Sequence, residues 1–171
     1  MSTYERRNSM SQKADFSTLE WETLRDTPHL VAIAVAVAGG SGLFGSLKEA
    51  IAPAKTIVEA SQGANTLLRE ICSREEMKTA QSSLREQFKS IDFDTLREKL
   101  RATAISNVRS AVDLLKQKAK DEDRKAYQDF VAKIANGLAE AAKEGGFLGF
   151  GGERISENEQ ALLKDLSTAL G

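Results

Sequence analysis

The chain reads as an all-α protein, a single-domain helical bundle of about six or seven helices with two glycine-rich helix–loop–helix joints. Three observations predict this. Apolar residues recur three and four apart through most of the length, the period of a helix with one buried face. Ser-x-x-Glu and Thr-Pro pairs stand where such helices would start. Two prolines and 6% aromatic residues leave little material for a sandwich of short strands.

With 171 residues, 41% of them hydrophobic and 29% charged, the chain is long enough to bury a core without disulfides or metals. Residues 1–13 (MSTYERRNSMSQK) are polar and aperiodic and are expected as a flexible arm, with one domain over 14–171. Asp15 or Ser17 then caps a short helix carrying Phe16, Leu19, Trp21 and Leu24. Thr27-Pro28 supplies a capping hydroxyl and a proline at the first helical position, where no amide hydrogen bond is lost. A new helix is expected from there to about Ala38, ended by Gly39-Gly40. Val31, Ile33, Val35 and Val37 alternate with alanines as in a strand, but nothing else in the chain offers a strand to pair with.

Ser46 and Glu49 have capping-box spacing and open a helix with Ile51, Ile57 and Val58, in which Pro53 imposes a kink or a delayed start. Gly63 breaks it. Two long amphipathic helices follow, about Ala64 to Lys89 and about Thr95 to Lys118, and these are expected as the spine of the bundle. The first carries Leu67, Leu68, Ile71, Leu84 and Phe88; the second repeats Leu96, Leu100, Ile105, Val108, Val112 and Leu115. The turn over Ser90 to Asp94 supplies a capping aspartate. The charge block at 116–125 (KQKAKDEDRK) reads as a solvated junction before a helix from about Asp123 to Lys143, with Tyr127, Phe130, Val131, Ile134 and Leu138. Ser156 and Glu159 form a further capping box, opening a last helix with Leu162, Leu163, Leu166 and Leu170.

The two joints echo each other. Nine of the twelve glycines fall in them: Gly39, Gly40, Gly42 and Gly45 in the first, Gly145, Gly146, Gly149, Gly151 and Gly152 in the second. Each follows an alanine-rich helix, contains leucine and phenylalanine (Leu43-Phe44; Phe147-Leu148), and ends in Ser-x-x-Glu. They are expected as compact turns between packed helices, where glycine permits close backbone approach.

The function classes narrow by elimination. A net charge of −1, from 24 basic and 25 acidic residues, gives no bulk attraction to nucleic acid. Gly40, Gly42 and Gly45 form a G-x-G-x-x-G pattern and are the weak cofactor-binding candidates of a nucleotide-binding alternative. No second strand with an acidic end follows them, and Ser46 stands where a P-loop needs lysine. Leu30 to Leu47 are eighteen consecutive uncharged residues, but four glycines and two serines divide them, so no membrane span is expected. Peripheral membrane insertion through Leu43-Phe44 and Phe147-Leu148 is the second alternative. Cys72 stands alone, which excludes an internal disulfide, and reads as a small buried hydrophobe. His29, the only histidine, reads as a surface or capping residue. Glu75-Glu76 and Asp121-Glu122-Asp123 read as solvated faces. No catalytic residue, metal ligand or cofactor is therefore assigned. Mixed charge over the first 29 residues is unlike a secretory leader, so the expected location is the cytoplasm. The expected role is a non-enzymatic helical interaction or scaffold protein, whose partner is another protein or a second copy.

Ala36 to Gly40 with Glu49, and Ala139 to Gly146 with Glu159, carry a resemblance over about a third of the chain. They resemble the TerB-like helical domains associated with tellurite resistance, which pair an alanine-rich helix with a glycine-containing loop and a helix beginning near a glutamate. The resemblance implies a bacterial, all-α, stress-associated protein. The acidic residue that precedes the loop glycine in that family is missing at Ala38, and only Glu144 precedes the second loop, so the family's metal-binding residues are not carried over.

Overall fold

The structure, a computed structural model, describes residues 10–38, 54–89, 91–143 and 156–171. Among these are seven α-helices and no strand: α1 Thr18–Ala38, α2 Ala54–Gln62, α3 Thr66–Ile71, α4 Arg74–Phe88, α5 Phe93–Lys118, α6 Asp121–Lys143 and α7 Glu157–Leu170. A 3-10 turn, Lys13–Asp15, precedes α1. The fold is the helical bundle expected from the period. Both glycine-rich joints lie outside the described residues.

The spine differs from the expected one. The central element is α1, against which α4, α5, α6 and α7 all pack. Its residues Thr27, Pro28, His29, Leu30, Val31 and Ala32 are buried without interruption. A helix buried on every side needs apolar or small residues all round, and LVAIAVAVA provides them. The same composition resembled a strand or a membrane element when read alone. No described helix is long and apolar enough to cross a membrane.

Nor does α1 begin at Pro28. It starts at Thr18, where Ser17 and Glu20 form a capping box. The Glu20 amide donates to Ser17 Oγ at 3.4 Å, and the Ser17 amide donates to the Glu20 carboxylate at 2.8 Å. The helix then runs through Pro28. Proline has no amide hydrogen, so the Leu24 carbonyl loses its usual i+4 donor. Tyr127 of α6 replaces that donor, its hydroxyl donating to the Leu24 carbonyl at 2.8 Å in a fully buried setting. One residue earlier the Thr27 hydroxyl donates to the Thr23 carbonyl at 2.7 Å. The break that proline imposes locally is thus repaired from another helix.

The expected helix from Ala64 to Lys89 is two helices. Asn65 caps α3, accepting from the Leu68 amide, and Ser73 caps α4, accepting from the Glu76 amide at 3.3 Å. Helix α4 buries only Glu76, Ala80 and Leu84, one narrow stripe against α1. Helix α5 is capped by Asp92, which accepts from the Thr95 amide at 3.1 Å. It buries Leu96, Leu100, Ala104, Val108, Ala111, Val112 and Leu115, the stripe its period predicts. Helices α5 and α7 pack together and share a partly exposed ion pair, Arg101 to Asp165 at 2.5 Å. Exposed pairs of this kind contribute little.

Candidate functional site

Of the loop residues singled out by sequence, Gly39, Gly40, Gly42, Gly45, Ser46, Glu49, Gly145, Gly146, Gly149, Gly151 and Gly152 lie outside the described residues. So do Leu43-Phe44 and Phe147-Leu148, on which the membrane alternative rested. Ser156 and Glu159 are described. The Ser156 hydroxyl accepts from the Glu159 amide at 3.2 Å, capping α7, and donates to the Ala38 carbonyl at 3.0 Å. One hydroxyl therefore joins the last residue of α1 to the first turn of α7. Glu159 is buried.

The charged side chains that sequence placed on solvated faces are the main correction. Asp123 is 1% exposed and Glu76 is 8% exposed. They face the segment that leads into α1. The Ser11 amide donates to Asp123 Oδ2 at 2.8 Å, and Asn65 Nδ2 donates to Asp123 Oδ1 at 2.8 Å. The Lys13 amide donates to Glu70 Oε2 at 2.5 Å, and the Lys13 ammonium bonds Glu76 Oε1. That ammonium also lies 5.7 Å from the centre of the Trp21 ring, and Phe16 packs on Trp21 at 6.2 Å between centroids. Carboxylates from α3, α4 and α6 thus grip Ser11 and Lys13, two positions that fall in the arm expected over 1–13.

Beneath this seat lies buried Arg25. Its guanidinium donates to the Asp26 carboxylate at 2.7 and 3.1 Å and reaches Glu76 Oε2 at 3.7 Å. Burial works to raise the Glu76 carboxyl, but Lys13, the Trp21 indole and Arg25 outweigh it and hold it below the usual carboxylate range. The Trp21 indole nitrogen is on the Glu76 side of the cluster but outside normal hydrogen-bond geometry. Burial disfavours the Arg25 charge, yet Asp26 and Glu76 more than compensate, so the guanidinium titrates above its ordinary value.

A second feature is a small, largely apolar hollow lined from α1, α2, α3, α4 and α6, where His29 and Cys72 come together with Ile57, Phe130 and Ile134. It has room for about one water molecule. His29 is buried, not the surface or capping residue expected; burial, with Arg25 nearby, lowers its pKa to about 4. Cys72 is the buried hydrophobe expected, and burial raises its thiol to about 12. A nucleophilic thiolate–imidazolium pair needs both shifts in the opposite direction. At neutral pH this hollow holds a thiol and a neutral imidazole. Among the described residues no group of three His, Cys, Asp or Glu side chains is placed to hold a metal ion.

Comparison of the chain with protein-family models, curated proteins and solved structures finds no match. The seat for residues 10–13 escaped sequence reasoning because its members lie far apart in the chain. Glu76 carried a usable signal: Ser73-x-x-Glu76 is a capping-box spacing inside what looked like an unbroken helix.

Proposed function

We propose that the protein is a non-enzymatic, cytoplasmic helical interaction or scaffold protein that associates with itself through a helical face. The observation that supports this reading is the use made of buried charge. Buried Asp123 and Glu76, with the half-buried Glu70 beside them, receive backbone amides and an ammonium from Ser11 and Lys13, which is the chemistry of peptide recognition. Cys72 and His29, the residues best suited to covalent or acid–base work, are held in their unreactive forms. Leu19 and Val58 are large apolar side chains left exposed, at 76% and 49%. Sedimentation velocity over a wide range of concentration tests the proposal. The expected result is a concentration-dependent shift from monomer to a defined oligomer. A monomer at every concentration, or turnover of a metabolite abolished by a single substitution, would overturn it.

A further inference from the structure

We propose that Met10–Asp15 is exchanged between copies: in the associated form it leaves its own bundle and occupies the same seat on a second copy, whose segment does the reverse. This rests on the self-association proposed above and assigns its interface.

The acceptors of the segment lie on α3, α4 and α6, at Glu70, Glu76 and Asp123, more than fifty positions along the chain. A second copy offers the same three carboxylates in the same arrangement, so every polar contact is reproduced when the segment crosses over. Exchange of an identical element is a low-cost route to a two-fold dimer. The 3-10 turn Lys13–Asp15 contains no buried residue, so the segment is attached through the buried Ser11–Asp123 hydrogen bond and the Lys13–Glu76 pair, both of which the second copy supplies on exchange.

The connection to α1 suits a hinge. Phe16 has extended backbone, φ −118° and ψ 146°, and packs on Trp21 of its own helix, so it serves as the pivot. Ser17 and Glu20 cap α1 without help from residues 10–15, so the helix terminus stays satisfied when the segment departs. Leu19, in the first turn just past the pivot, is exposed and would offer an apolar contact to a second α1 terminus brought near by the exchange. The exchange gives this residue a partner.

Equal amounts of unlabelled and nitrogen-15-labelled full-length protein, mixed, associated at high concentration and treated with a carbodiimide, test the proposal through the amide formed between Lys13 and Glu76. Monomer and dimer fractions are separated and the cross-linked peptides weighed. Exchange predicts same-isotope products in the monomer, and mixed-isotope products in the dimer about as abundant as the two same-isotope ones together. As a second measurement, Lys13→Glu places a carboxylate against Glu76 and Glu70; it should abolish the dimer while leaving the helical circular dichroism intact. A dimer with only same-isotope cross-links, or one untouched by Lys13→Glu, would overturn exchange and leave self-association standing. No dimer at any concentration would overturn both.

Discussion

The hydroxyl of Tyr127 is the most exacting test of how α1 continues through its proline. In Tyr127→Phe the ring still fills its site, but the Leu24 carbonyl loses the donor found at 2.8 Å. Tyr127 is fully buried, and burial pushes its phenol well above the ordinary range, so it donates at any accessible pH. Water cannot readily reach that carbonyl, and Pro28 has no hydrogen to give it. Leaving a buried acceptor unpaired costs about 1–3 kcal/mol. Urea unfolding followed by circular dichroism should show that loss as a lower midpoint at unchanged slope. The decisive arm is the same substitution in a Pro28→Ala background, where residue 28 regains an amide hydrogen within reach of the Leu24 carbonyl. There Tyr127→Phe should cost less, by roughly 1 kcal/mol, a coupling beyond the few tenths expected of independent sites. Equal costs in both backgrounds, or a neutral Tyr127→Phe, would refute the account.

Three other outcomes follow from the same geometry. His29 titrates near 6.5 when unfolded and about 4 when folded, so the unfolded chain binds the extra proton between those values and stability falls as pH drops through that window. Two and a half units correspond to about 3 kcal/mol; His29→Leu should flatten the wild-type slope between about pH 6.5 and 4 in pH-dependent denaturation, and an unchanged slope would sink the burial argument. Cys72, with its thiol raised to about 12, should resist a thiol reagent at neutral pH until the protein unfolds; rapid stoichiometric labelling of the native state would contradict its burial. Ser156→Ala removes both the cap of α7 and the donor to the Ala38 carbonyl, and should lower stability by about 1–2 kcal/mol in thermal or chemical unfolding, whereas a neutral result would show that junction to be idle.

Helices were legible where a local period met a local cap. The stripe from Leu96 to Leu115 and the Ser156 cap of α7 needed no information from elsewhere in the chain. What escaped depended on distant groups. Thr27-Pro28 has every local mark of a helix start; it sits mid-helix because Tyr127, 99 positions on in the sequence, answers the carbonyl that proline abandons. Asp123 belongs to a run of mixed charges that looks solvated; it is buried because Ser11 and Asn65 supply donors to its two oxygens. His29 is buried because α1 became the axis of the bundle, a role no local pattern announces. The Ser73–Glu76 signal was local and was hidden only by the strength of the surrounding helical period.

The position of α1 at the centre has a consequence for how the molecule is made. A helix apolar on every side is translated before α4, α5, α6 and α7, the helices that cover it. Growing from the ribosome, the chain must carry Leu30 to Val37 unsheltered until those helices have emerged, the condition under which nascent chains engage chaperones or aggregate. Helix α7, last of the seven, closes over α1 through Ser156 and Ala38. Chains stalled before α7 should therefore be the aggregation-prone species, and emergence of α7 is the step that makes the fold safe.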